Sequence, residues 1–166
     1  FDFPYCELKF NLASNKSGRL VGVDLSKYDR IGLWIDHDHK SQPGTRVELH
    51  NFNSEYSTEG DVNSLKYNTI EFSENNVPSP TWIKFHNFYV PTWWNASHEL
   101  VNGGTDFSSI RSLSITTGGL VGEGLYKLKV RRVEFRGKYI ESDTLFFLLI
   151  IAWSSVTGFF FRQLSL

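Results

Sequence analysis

Between Tyr5 and Ile140 the chain is written in short apolar and polar alternations separated by clusters of turn residues, and no long helical period emerges. Ile31, Leu33 and Ile35 interleave with Arg30, Gly32, Trp34 and Asp36, which predicts a strand with one aliphatic and one mixed face. Residues 46–52, 67–73, 82–90 and 110–116 read the same way. The segments between them, DHDHKSQPGT, NSEYSTEGDVNS and SENNVPSP, carry the Gly, Pro, Asn, Asp and Ser of turns. In residues 125–135 the apolar positions change parity: Tyr126, Leu128 and Val130 share one side, Val133 and Phe135 the other. A β-bulge near Arg131 and Arg132 reconciles them and leaves Lys127, Lys129 and Arg131 facing outward. Residues 94–101 are suited to a short helix. About eight to ten strands at this spacing, without βαβ alternation, predict an all-β fold, an antiparallel jelly-roll sandwich.

The pattern then changes abruptly. Residues 144–161 (TLFFLLIIAWSSVTGFFF) hold no charge and are closed by Arg162. A helix over this run rises roughly 27 Å, close to the hydrocarbon thickness of a bilayer. A buried core helix is the competing reading, and length favours the span. Gly158 alone does not divide the run, since lipid-embedded helices tolerate glycine. The expected organisation is a β-sandwich over 1–140, one transmembrane helix over 144–162, and the start of a further region at 163–166. Residues 137–143 leave only a short connector, so the sandwich is expected close to the membrane surface. No methionine occurs, even at position 1, which suggests a processed or excised piece of something longer.

Charge narrows the function classes. The chain has 17 Lys and Arg against 18 Asp and Glu. Setting aside Arg162, Glu141 and Asp143 leaves the soluble part formally neutral, which argues against a nucleic-acid partner. Aromatic residues make up 16% of the chain and are spread through it, enough to build a core or a sugar-stacking face. Cys6 is the sole cysteine, so no internal disulfide forms, and a small buried thiol is its expected role.

Few motifs carry chemistry. Asp36, His37, Asp38 and His39 are dense in metal-ligand types, but strand alternation splits histidines from aspartates and no Cys or HExxH partner is present, so an exposed loop is expected. Glu55, Glu59, Asp61 and Asn63 offer oxygens to a structural calcium ion without EF-hand spacing, and a solvated loop is the simpler reading. No cofactor is otherwise implied. No GxSxG elbow occurs, and the glycines at 118, 119, 122 and 124 read as a hairpin turn rather than a phosphate loop. The strongest local feature is VPTWW at 90–94, followed by Asn95 and His98. Two adjacent tryptophans cannot both enter one core if strand geometry persists, so at least one can line a cleft; the competing and preferred reading is that both are anchors closing one end of the sandwich.

An ordered series of elements resembles a known family. Asp24-Leu25-Ser26 with Tyr28-Asp29 and IGLWID resembles the early strands of carbohydrate-binding-module-like, galactose-binding-type jelly rolls. HNFN at 50–53, Tyr56-Ser57, SLKYN at 64–68, VPTWW, DFSSIRSLSITTG at 106–118, LKV at 128–130 and VEFRG at 133–137, set just before a span, resemble the sensory region of bacterial membrane-bound diguanylate cyclases. That resemblance covers nearly all of residues 5–162. It implies a sandwich in the periplasm, anchored in the bacterial inner membrane, controlling a GGDEF domain that makes cyclic di-GMP. No GGDEF signature occurs here, so the resemblance assigns no catalytic residue and no enzymatic activity to this chain. Basic residues just before the span point the opposite way by a bare positive-inside count, a rule that weakens for long folded domains.

The expected function is therefore a membrane-anchored sensor of a small molecule, saccharide or partner, with homodimerisation through the membrane helix as an option. Candidate contacts are Asn51, Asn53, Tyr56, Asp61, Lys66, Asn68, Trp93, Trp94 and His98, the polar and aromatic residues of the matching motifs. Lys66 and Asn68 share strand parity, so they can face one cleft. A tethered carbohydrate-binding or adhesive module without output is the alternative, and a surface hydrolase is a third reading for which no nucleophile stands out.

Overall fold

The computed structural model describes residues 6–37, 44–72, 80–98, 103–119, 127–137 and 142–164. It divides into two compact units, Phe1–Arg136 and Gly137–Leu166. The first is a two-sheet β body. Seven strands are described: β1 (Glu7–Asn11), β2 (Tyr28–His37), β3 (Thr45–Asn51), β4 (Lys66–Phe72), β5 (Thr81–Lys84), β6 (Ile110–Thr117) and β7 (Leu128–Gly137). A four-stranded sheet runs in the order β1-β6-β3-β4 and a three-stranded sheet in the order β5-β2-β7. The β1–β6, β3–β6, β3–β4 and β2–β5 pairs are antiparallel.

Strand alternation builds the core. Val47 and Leu49 of β3 face Ile115 and Leu113 across the β3–β6 ladder, while Ile31 and Leu33 of β2 lie beside Ile83 of β5. All seven are buried and belong to one cluster with Phe85, Phe88 and Ile110, so both sheets close on the same apolar interior. Burying side chains of this size stabilises by about 1.5–3 kcal/mol each. In β7, Leu128, Val130, Val133 and Phe135 pack on this core while Arg131 and Arg132 are both exposed, so the parity change lies where a bulge was expected. Tyr126 lies outside the described residues.

Three boundaries differ from the alternation. The run at 82–90 is not one strand: β5 ends at Lys84 and a 3-10 turn spans Phe85–Asn87. Phe85 and Phe88 are three residues apart and both buried, a spacing that fits a 3-10 turn and not a strand. The short helix expected at 94–101 is α1 (Thr92–His98), beginning two residues earlier because the Pro91 carbonyl accepts the amides of Trp94 and Asn95; residues 99–102 lie outside the described set. The glycine-rich 117–124 segment does not join paired strands, because β6 and β7 belong to different sheets; most of it lies outside the described residues, as do Asp38 and His39. Cys6, expected to be buried, is exposed.

Gly32 has a specific reason. Its neighbour across the β2–β5 ladder is Trp82, whose ring would sit 2.6 Å from any Cβ at position 32. The indole fills the place of the missing side chain.

The second unit contains α2 (Ser142–Leu164), 23 residues, long and apolar enough to cross a membrane. Leu145–Ile151 fills two turns with apolar side chains, so no direction around the helix is polar there. The Ser155 and Thr157 hydroxyls donate to the carbonyls of Ile151 and Trp153, both at 2.8 Å, and need no other acceptor.

Leu49 is fully buried between the sheets, so Leu49→Ala should lower the unfolding free energy of the detergent-solubilised chain by about 2–5 kcal/mol, read from urea titration of intrinsic fluorescence.

Candidate functional site

The residues singled out from sequence fall into two places separated by β4. Lys66 and Asn68 share the inward face of that strand, with Leu49 and Asn51 opposite them on β3. Beside them runs the irregular segment 103–109, whose backbone has no ladder of its own. Side chains complete it. Asn68 Nδ2 donates to the Asp106 carbonyl (2.7 Å) and the Leu49 carbonyl (3.0 Å), and its Oδ1 accepts the Asp106 amide (2.9 Å). Asn51 Oδ1 accepts the Ser109 amide (2.7 Å), and its Nδ2 donates to the Tyr56 hydroxyl (2.7 Å). Tyr56 in turn donates to Asp106 Oδ2 (2.9 Å), and Lys66 Nζ donates to the Gly104 carbonyl (3.1 Å).

Trp94 closes this node. It is 0% exposed, its indole N–H donates to the Leu65 carbonyl (2.8 Å), and its ring meets Tyr56 edge-on and stacks on His98 at 3.9 Å. Lys66 lies 4.5 Å over the Tyr56 ring and 5.5 Å from that of Trp94. Burial pulls the Lys66 amine down, against the opposing pull of Asp106 and Glu55. Burial also pushes the Tyr56 phenol up, so it stays a donor at neutral pH. Asp106 behaves oppositely: burial would raise its carboxyl, but bonds from the Ser108 amide and hydroxyl, Tyr56 and Asn53 hold it below the usual carboxylate range. Asn51, Tyr56, Lys66, Asn68, Trp94 and His98 are thus brought together, with their polar atoms engaged by one another and by backbone.

Asn53 touches the node through Asp106 and, with the more distant Asp61, shapes the following loop. Asn53 Oδ1 accepts the Glu55 amide, and Asp61 caps the 3-10 turn Val62–Ser64 by accepting the Asn63 amide at 2.9 Å. Glu59 lies between Arg19 (2.8 Å) and Arg111 (2.7 Å), which lower its carboxyl to about 2. Two guanidiniums on one carboxylate oppose a divalent cation there. Among the described residues no group of three or more His, Cys, Asp or Glu is placed to hold a metal. Asp36 pairs with Arg131 at 2.6 Å.

Trp93 is the exception. One residue from the buried anchor, it is 59% exposed on the opposite side of β4, with its ring edge-on to Tyr67 at 5.3 Å. There it lines a cleft of about 290 Å³ with Arg46, Glu48, Thr69, Tyr89, Pro91 and Thr92. Tyr89 reaches the site because it bridges Thr69 through two backbone hydrogen bonds, covering part of the β4 edge. Arg46 is held by Glu71 (3.0 Å) and approaches Glu48 at 4.0 Å. The Thr69 hydroxyl is buried and finds no partner among the described residues. A lone hydroxyl of this kind is uncommon in folded proteins.

Sequence reasoning missed the floor of this face. Glu48 Oε2 lies 3.4 Å from His50 Nε2, and His50 Nδ1 lies 3.0 Å from the Ser112 hydroxyl, all three being buried. The Tyr67 ring lies tilted against His50 with centroids 4.5 Å apart, and burial together with Glu48 pushes its phenol up. A serine, histidine and carboxylate in a row have the residue types of an acyl-transfer triad. Ser112, however, is 1% exposed in mid-strand, where ladder pairing on both sides takes up backbone amides instead of gathering them as an oxyanion hole. The row orients Glu48 and Tyr67 beneath the cleft. The signal was the shared parity of Glu48 and His50, but their partners come from register between strands distant in sequence.

Compared with family models, with curated proteins and with solved structures, the chain matches none.

The Glu59 ion pairs give a pH signature. Its folded pKa of about 2 lies below the ordinary 4.5, so the stabilisation is complete above pH 4.5 and is lost as pH falls from there through 2. Circular-dichroism melts should show the midpoint dropping across that window, and Glu59→Gln should make the drop shallower.

Proposed function

We propose that this chain is the ligand-sensing part of a membrane-anchored receptor, with the cleft of Arg46, Glu48, Thr69, Tyr89 and Trp93 as its recognition site and α2 as its span. The observation that carries the reading is the unanswered Thr69 hydroxyl in a cleft that also presents an exposed indole and a charged pair. Leaving a buried hydroxyl unpaired costs about 1–3 kcal/mol, a cost that a ligand hydroxyl or amide would remove. Ring faces of Trp93 and Tyr89 suit the C–H face of a sugar, while Glu48 accepts and Arg46 donates to its hydroxyls. The volume lies near the lower end of small-molecule sites, ~300–1,000 Å³, which favours one ring over a polymer. The preferred ligand class is a small hydroxylated molecule, saccharide-like in chemistry.

Repeated crossing of the chain between the two sheets supports a jelly-roll topology. The resemblance to sensory regions supports placement of the β body in the periplasm and control of a diguanylate cyclase domain. A ligand changes such an output only by its differential affinity for two states of the domain. A tethered saccharide-binding module is the second reading, favoured by the fact that an exposed Trp93 platform works without any second state.

Calorimetric titration of the full chain in nanodiscs with monosaccharides tests the site. Trp93→Ala and Glu48→Gln should each raise Kd at least tenfold with the melting midpoint nearly unchanged; a sugar that binds both variants as tightly as the parent would remove the cleft from consideration. Ligand-induced protection from hydrogen exchange far from the cleft separates a receptor from a passive binder.

A further inference from the structure

The three-stranded sheet has an outer face unlike the rest of the molecule. Since Ile31, Leu33, Ile35 and Ile83 face the core, Arg30, Trp34 and Asp36 of β2 and Trp82 and Lys84 of β5 lie on the other side. From β7 the exposed Lys129, Arg131, Arg132 and Arg136 join them, together with Glu134. Basic side chains clearly outnumber Asp36 and Glu134 here. The soluble part as a whole is balanced, so positive charge is concentrated on this face. Arg30 stands opposite Lys84 across the ladder and is paired with Asp29 at 2.9 Å.

The aromatic groups are organised with these charges. Trp34 and Trp82 meet edge-on at 5.8 Å, the Arg132 guanidinium lies 4.7 Å from the Trp34 ring, and that of Arg136 lies 4.3 Å from Trp82. Glu134 pairs with both arginines. Each guanidinium carries five donors, so one shared carboxylate leaves most of them unused. The Arg131, Arg132 and Arg136 side chains are 61%, 61% and 56% exposed. Exposed arginines held over indole rings suit phosphate oxygens, and tryptophan favours the headgroup level of a bilayer. In sequence only residues 137–141 separate Arg136 from the start of α2 at Ser142, so the face is tethered to whatever membrane holds α2.

We propose that the Trp34–Trp82–Arg132–Arg136 face docks on anionic phospholipid headgroups of the membrane that holds α2. The inference rests on α2 being a span. Charge complementarity selects the occupant: a basic, aromatic surface tethered to a membrane meets anionic lipid at high effective concentration.

The test uses the full chain, labelled with 5-fluorotryptophan and assigned by single Trp→Phe variants, in nanodiscs of phosphatidylcholine alone or mixed with phosphatidylglycerol. A gadolinium-headgroup lipid should broaden the Trp34 and Trp82 fluorine resonances several-fold more than that of Trp93 in the anionic discs. High salt, neutral discs, or Arg132→Gln with Arg136→Gln should each erase the difference; the salt arm stands even where the double variant fails to fold. Broadening that is equal in neutral and anionic discs, or no excess over Trp93, overturns the proposal. A chain-labelled lipid reports on Trp153 in the same samples. Its broadening shows α2 in the bilayer, so a docking failure is distinguishable from failure of the span, which would overturn both.

Discussion

The β body depends on satisfying a stretch of backbone that no strand pairs. Residues 103–109 run beside Lys66 and Asn68 of β4; their Phe107 and Ser109 carbonyls accept the amides of Leu25 and Phe52, and other groups of the segment are answered by side chains. Asn68, Asn51 and Lys66 answer those groups, and Tyr56 with Asp106 ties the answering side chains together. The same node seats Trp94, which fixes α1, which holds Trp93 over the opposite face of β4. An internal polar network therefore determines where an external aromatic ring stands.

The two sheets share one apolar interior yet differ on their outer sides. The four-stranded sheet turns out a buried row of Glu48, His50 and Ser112 beneath a cleft, whereas the three-stranded sheet turns out arginines lying over tryptophan rings. Both follow from the same two-residue period, since every residue that does not enter the core must face outward. The difference lies in side-chain length. Short hydroxyl-bearing residues on β6 let His50 and Tyr67 close over the first face, while long basic residues on β7 keep the second open to solvent.

Much of this was legible in the sequence, and the remainder failed for identifiable reasons. Alternation placed β2, β3, β4 and β6 within a residue or two, and the parity change in β7 was visible because two arginines in succession interrupt the apolar series. The 82–90 run misled because a 3-10 turn and a strand both accept aromatic residues, and Phe85 with Phe88 reveals its period of three only once burial is known. Parity also brought Lys66 and Asn68 together correctly, but could not say that their polar atoms were already engaged by the Gly104 and Asp106 carbonyls. Arg46, Glu48 and Thr69 escaped notice because each is unremarkable in its own strand. They become a group only through the β3–β4 register and the bridge from Tyr89.

The paired tryptophans of α1 separate two demands that one residue usually has to meet together. Position 94 answers to the interior, while position 93 is left 59% exposed beside the cleft. The outer ring can accordingly vary without eroding the scaffold, a freedom that descends from a single residue step along the helix.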